Sequence, residues 1–120
     1  MAISASLQIL NSTSYNFKIT GVSKVNDDAT FAGINIGDII KPDCSETLAM
    51  GNSSVFIAPR GCGADISFVI ADDNIDIGDI HLDIPAVGKH HFTFANEEVI
   101  SYEVSNPSGN NYIVRVSLKQ

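Results

Sequence analysis

Apolar and polar residues alternate along most of the chain, with turn-forming residues between the alternating runs. The clearest runs cover residues 3–9, 15–19, 64–70, 80–84, 100–104 and 112–118. Alternation with a period of two places successive side chains on opposite faces of a β-strand, and no segment shows a sustained helical period. Short strands with turns every 8–12 residues or so are typical of sandwiches and small barrels. The pattern therefore predicts an all-β fold, an antiparallel β-sandwich of about 8–9 short strands.

The length of 120 residues is typical of a single domain, and we expect one β-sandwich domain over residues 1–120. Residues 3–9 and 15–19 predict an N-terminal hairpin. Residues 31–40 contain a predicted strand, as do residues 53–58. Residues 45–51 fit either one helical turn that stops at Gly51 or a strand, and the strand is the favoured interpretation. The residues expected to share one core are Phe17, Ile19, Ile66, Phe68, Leu82, Tyr102, Val114 and Val116.

The formal net charge of −7 limits the classes of partner that this chain is expected to bind. Nucleic-acid binding rests on clustered Lys and Arg, and the few cations of this chain are scattered singly, so we expect no nucleic-acid partner. Attraction to anionic lipid also needs a basic patch. A membrane partner would therefore present neutral lipid or a specific head group.

The N-terminus has no basic region and no apolar run typical of a signal peptide. We therefore expect a cytoplasmic protein, or one released by a non-classical route. Cys44 and Cys62 are too few for a disulfide scaffold. Buried free thiols are the favoured interpretation, and one bridge between the two is the alternative.

One acidic window matches part of a calcium-loop spacing. Asp72, Asn74, Asp76 and Asp83 occupy positions 1, 3, 5 and 12 of that window. The glycine that should stand at position 6 is one residue late (Gly78), and a solvated turn is the simpler interpretation. Calcium ligation by these four residues is thus a weak hypothesis.

The histidines and cysteines complete no catalytic or zinc set. His90 and His91 are adjacent, so on a strand they point to opposite faces and do not chelate one ion together. His81 shares an ion with one of them only if their strands are neighbours. No nucleophile elbow or phosphate-binding loop appears. We therefore expect a protein that is not an enzyme and that needs no cofactor.

Several short motifs resemble the aegerolysin family of small acidic β-sandwich proteins. They are the opening strand with its turn at residues 11–14 (NSTS), residues 37–43 (GDIIKPD), residues 63–68 (GADISF), residues 80–88 (IHLDIPAVG) and residues 108–111 (SGNN). The resemblance implies recognition of membranes rich in particular sphingolipids, with some members acting beside a larger pore-forming partner. Membrane contact in that family is associated with exposed aromatic residues, notably Trp, and this sequence has none. Its substitutes would be Tyr15, Phe56, Phe92 or Phe94, although alternation places most of these on core faces.

Three functional hypotheses follow. The first is membrane-lipid recognition of sphingolipid type, as the small component of a two-component pore-forming cytolysin. The second is a soluble lectin-like or protein-interaction module that binds a glycan or a protein through its loops. The third is a structural protein that self-associates through strand edges. The candidate ligand-binding residues are Arg60, Lys89, His90 and His91, which offer cationic and imidazole groups near turns.

Overall fold

The computed structural model describes residues 3–25, 29–52, 61–73, 75–85, 88–95, 100–106 and 109–119. Within these ranges the chain forms β-strands and no helix. The strands are β1 (Ile3–Asn11), β2 (Phe17–Lys24), β3 (Thr30–Ala32), β4 (Ile39–Ile40), β5 (Ser45–Asn52), β6 (Cys62–Ile70), β7 (Ile75–Ile84), β8 (His91–Phe94), β9 (Ile100–Ser105) and β10 (Asn111–Leu118). The strand predicted at residues 53–58 lies outside the described residues.

The strands form two sheets of five. Sheet A has the order β3-β5-β1-β10-β9, and sheet B has the order β4-β2-β6-β7-β8. This arrangement confirms the predicted β-sandwich. All strand pairs are antiparallel except β1 with β10, which run parallel through the middle of sheet A, and this parallel pair was not predicted.

The predicted N-terminal hairpin is wrong. β1 pairs with β5 and β10 in sheet A, whereas β2 pairs with β4 and β6 in sheet B. The turn between β1 and β2 thus carries the chain from one sheet to the other. Alternation reports which face of a strand is buried, but it does not report which strand lies beside it.

The strand predicted within residues 31–40 is also largely wrong, because most of that stretch is a loop between β3 and β4. Gly33 and Gly37 have φ values of 113° and 96° and so interrupt the extended backbone. At Gly33 a Cβ atom would also collide with the carbonyl oxygen of Thr47. Residues 45–51, by contrast, form β5 as expected.

The predicted core is confirmed. Seven of its eight residues are buried, and the eighth, Tyr102, is half-buried and packs against the cluster. An aromatic row runs through the centre, where the ring centroids of Phe17 and Phe68 lie 5.2 Å apart and those of Phe68 and Phe94 lie 5.9 Å apart. The core therefore consists of alternate side chains from the two facing sheets.

A fully buried amide, that of Asn11, joins the two sheets where β1 ends. Its Nδ2 donates to the carbonyl oxygens of Tyr15 (2.6 Å) and Ile40 (2.9 Å). Its Oδ1 accepts from the backbone N–H (2.9 Å) and the hydroxyl (2.7 Å) of Thr13. Because Ile40 belongs to sheet B and Asn11 to sheet A, one side chain fixes both the turn and the spacing between the sheets.

We predict that Asn11→Ala lowers the free energy of unfolding by about 2–4 kcal/mol, since several buried hydrogen bonds are lost and the Ile40 carbonyl is left unpaired. Urea denaturation monitored by circular dichroism measures this change. The matched control is Asn35→Ala, at an exposed asparagine, which should stay within about 0.5 kcal/mol of the wild type. Equal stability of the two variants would contradict the role assigned to Asn11.

Candidate functional site

The sandwich has two distinct ends. Phe17 is the register partner of both Ile40 and Ile70, and Ile70 pairs with Ile75, so these four residues lie in one row. This row closes what we call the turn end, together with residues 12–16 and 71–73. The opposite end, here called the loop end, holds residues 88–90 and 109–110. The molecule measures 48 × 24 × 20 Å, and strands of 8–10 residues extend about 26–33 Å, so the two ends lie at opposite poles of the long axis.

The described candidate residues lie at the loop end. Lys89 and His91 are exposed, and His90 is half-buried. Arg60 lies outside the described residues. His91 begins β8 and has Asp83 of β7 as its register partner. The structure therefore brings three of the four candidates to one end of the molecule.

His90 belongs to an aromatic cluster at this end. Its Nδ1 lies 2.8 Å from the hydroxyl of Tyr112, and the two ring centroids are 5.9 Å apart. Phe92 stacks on Tyr112 with ring planes 4° apart and centroids 6.2 Å apart. Burial raises the pKa of the Tyr112 phenol. The cluster thus presents a half-buried imidazole near an exposed ammonium group, that of Lys89, whereas the Tyr112 ring is buried in the core and Phe92 is packed against it.

The histidines form no metal site with the acidic residues. β7 and β8 do pair, and His81 and His91 lie on the same outer face of sheet B. However, Nδ1 of His81 lies 2.6 Å from Oδ1 of Asp65 and is engaged there. Among the described residues no three His, Cys, Asp or Glu side chains are placed to hold a metal ion.

The calcium hypothesis does not match the backbone geometry. Asp76 and Asp83 both belong to β7, a continuous strand, so they are separated by about 23 Å. Asp72 lies in the turn before that strand, and Asn74 lies outside the described residues. The window at residues 72–83 is therefore a turn followed by a strand, not a loop that folds around an ion.

Four exposed apolar side chains lie at or beside the turn end. Tyr15 lies in the turn between β1 and β2, Ile75 begins β7, and Ile39 begins β4; each is 41–45% exposed. Ile36, in the loop before β4, is 67% exposed. Tyr15 had been named as a substitute for Trp, but sequence reasoning missed the three isoleucines. Ile39 and Ile75 stand next to turn residues in the sequence, where the alternation does not indicate which side chains face the core. This position was the available signal of their exposure.

A carboxyl pair lies behind this exposed group. Glu46 of β5 has a raised pKa, caused first by burial and then by the charge of Asp38 and a hydrogen bond with it. Oε2 of Glu46 is buried and has no hydrogen-bond partner. Asp38 Oδ2 also accepts from the backbone N–H of Asn35 (2.9 Å). The pair thus ties β5 to the loop that carries Ile36.

Both cysteines are free thiols. Cys44 is exposed and precedes β5 at the turn end, whereas Cys62 is buried where β6 begins, at the loop end. Burial, followed by the nearby charge of Asp83, raises the pKa of the Cys62 thiol. The alternative of a bridge between them is therefore wrong.

The fold is similar to two solved structures. It matches IP-1A from Alcaligenes faecalis with a TM-score of 0.72 and 20% sequence identity over 98% of this chain and 91% of that chain. It matches the RahU protein, solved in complex with a TRIS molecule, with a TM-score of 0.70 and 13% identity over 97% of this chain and 95% of that one. Both are aegerolysin-like proteins with a β-sandwich fold, and at these identities the likeness establishes the fold alone. No protein-family model and no curated protein sequence matches the chain.

We predict that the melting temperature is the same in a chelator and in millimolar calcium. Asp76 and Asp83 are too far apart to share an ion, and a metal that bound the native state would raise the melting temperature by mass action. Differential scanning fluorimetry measures this. A calcium-dependent rise that disappears in Asp72→Ala and Asp76→Ala would restore the calcium hypothesis.

A second prediction concerns Glu46→Gln. The folded-state pKa of Glu46 lies above its usual value of 4.5, so the wild type loses stability as the pH rises through the folded-state pKa. Glutamine does not ionise, so the variant does not lose stability in this way. It should therefore be more stable than the wild type at neutral pH, and the difference should shrink as the pH falls through the folded-state pKa of Glu46 and be lost below the usual value of 4.5.

Urea denaturation at several pH values measures this difference. Glu103→Gln, on exposed β9, makes the same change of charge away from Asp38 and is the control. The same profile for both variants would contradict the role of the carboxyl pair.

Proposed function

We propose that this protein is an aegerolysin-like, non-enzymatic binding protein that recognises membrane lipid of sphingolipid type. The observation that carries the proposal is the set of exposed apolar side chains at and beside the turn end: Tyr15, Ile36, Ile39 and Ile75. Exposed apolar surface marks contact sites for proteins or membranes, and these side chains lie around one end of the molecule, with Ile39 on β4 and Ile75 on β7. Within the described residues no helix is long and apolar enough to cross a membrane, and the proposed contact is with the surface of the bilayer.

Each of these side chains would gain free energy at the bilayer interface. A fully buried Ile contributes about 1.5–3 kcal/mol. The three isoleucines are already partly covered, with exposed fractions of 41–67%, so each would contribute about 1 kcal/mol. Tyr15 supplies an amphipathic ring of the kind enriched at membrane interfaces. The group thus provides the exposed aromatic and apolar surface that the family resemblance associates with Trp.

Charge favours neutral lipid at this end. Lys18 and Lys41 are exposed beside the apolar group, and so are Asp43, Asp72 and Asp73. Charges of both signs give no strong attraction to an anionic surface, and the net charge of −7 opposes it. Binding should therefore favour zwitterionic sphingolipid vesicles over phosphatidylserine vesicles and should weaken little with added salt.

The sphingolipid class comes from the motif resemblance to aegerolysins, and the fold shared with IP-1A and RahU supports it. The same resemblance supports a larger protein partner that forms the pore. In this arrangement the turn end contacts the bilayer, and the loop end points away from it, where that partner has access.

A second candidate function rests on the loop end. His90, whose Nδ1 contacts the Tyr112 hydroxyl, and exposed Lys89 provide an imidazole and an ammonium group of the kind that orients a ligand in a lectin-like site. Because the two ends lie at opposite poles, only one of them contacts a flat bilayer at a time. The two candidate functions are therefore separable by variants.

The test is co-sedimentation with vesicles of sphingomyelin and cholesterol, compared with phosphatidylcholine and phosphatidylserine vesicles. We predict that the double variant Ile39→Ser and Ile75→Ser binds sphingomyelin vesicles roughly tenfold more weakly, because two apolar contacts are lost. Val104→Ser removes an exposed apolar side chain of β9 instead, and it is the matched control.

Lys89→Ala and His90→Ala, at the loop end, should leave vesicle binding unchanged. A protein that stays in the supernatant with every lipid would contradict the proposal. If it also bound a glycan array, and Lys89→Ala and His90→Ala weakened that binding, the lectin-like function would replace it.

A further inference from the structure

The four edge strands of the two sheets differ in length. β3 has three residues, β4 has two and β8 has four, whereas β9 has six. β9 contains no proline and no lysine, and its pairing with β10 has no bulge. Short edges, prolines, charged side chains and bulges are devices that hinder edge pairing. Among the described strands, β9 is the longest edge strand, and Glu103 is the one such device that it carries.

An inward-facing side chain of β9 is left uncovered. Val104 is the register partner of Val114, which is fully buried, yet Val104 is 38% exposed. Both side chains point toward sheet B, so the difference reflects the position of Val104 at the rim. A further strand beside β9 would cover Val104 and continue the inner face of sheet A.

We propose that a second copy of this chain pairs with β9 in antiparallel orientation and joins two A sheets into one continuous sheet. An antiparallel pairing of two identical strands has two-fold symmetry and presents the same surface from each copy. The proposal does not depend on lipid recognition.

Charge distribution favours this surface for a second copy. The outer face of sheet A has two charged side chains among its described residues, Glu103 and Arg115, and they are register partners of opposite sign. The outer face of sheet B holds Asp65, Asp76, Asp79 and Asp83 beside Lys18. Two molecules of net charge −7 repel each other. This repulsion is weakest when the two copies approach through the edges of their nearly neutral A sheets.

The side chains of β9 select one register. Inward residues must face inward residues across the pair, which leaves two registers that overlap most of the strand. One places Glu103 opposite Glu103 of the second copy, and like charges directly opposite are unfavourable. The other places Glu103 opposite Ser101, Ile100 opposite Val104 and Tyr102 opposite Tyr102. We assign the second register because it pairs apolar with apolar residues and separates the carboxylates.

Sedimentation equilibrium of the full chain from about 10 μM to 1 mM, where weak association is measurable, tests the dimer. We expect the wild type to dimerise and Val104→Lys to raise the dimer dissociation constant about tenfold or more, because the ammonium group would be buried without a partner. The matched control is Val69→Lys, on the outer face of sheet B, which should leave the constant unchanged. Circular dichroism checks that both variants are folded.

Two lysine variants test the register. Ser101→Lys places an ammonium group opposite Glu103 of the second copy, so it should tighten the dimer at low salt and lose this effect at high salt. Ser105 lies outside the paired residues of this register, so Ser105→Lys should not tighten the dimer. A monomeric wild type at 1 mM or so, equal effects of Val104→Lys and Val69→Lys, or equal tightening by both serine variants would each overturn the proposal.

Discussion

The burial of alternate side chains between two facing sheets is the constraint on which the rest of this structure depends. Each strand contributes every second residue to one core, and the aromatic row through Phe17, Phe68 and Phe94 fills its centre. Where the chain leaves a sheet, its backbone N–H and C=O groups lose their partners in the neighbouring strand and need other hydrogen-bond partners. Asn11 provides them where β1 ends, by bonding to the turn and to Ile40 of the other sheet.

The sequence predicted the faces of the strands better than their neighbours. Phe17, Ile66 and Val114 are buried as expected, because a period of two reports directly which side faces apolar surroundings. The pairing of β1 with β10 and the separation of β1 from β2 were not predicted. Pairing depends on loop geometry and on contacts between residues far apart in sequence, and a local pattern does not contain that information.

The candidate sites were predictable only in part, for the same reason. Lys89 and His90 were named because they are polar residues beside a turn, and the structure adds Tyr112 from β10, a neighbour that no local spacing indicates. Ile39 and Ile75 look like core residues in the sequence, since isoleucine is usually buried. Ile75 is exposed because it begins β7 at the end of the sandwich, whereas Ile39 is the register partner of exposed Lys18 and lies on the outer face of sheet B.

A sandwich of this kind therefore concentrates its capacity for binding at its ends and edges. The inner faces are occupied by the core, and the outer faces are divided between an acidic surface on sheet B and a nearly neutral one on sheet A. Exposed apolar groups remain at and beside the turn end and at Val104 on β9. Contact with a bilayer through Tyr15, Ile39 and Ile75 and pairing through β9 therefore use different side chains. In an antiparallel pair joined through β9 the long axes of the two copies run in opposite directions, so their two turn ends face away from each other, and a flat bilayer contacts the turn end of one copy at a time.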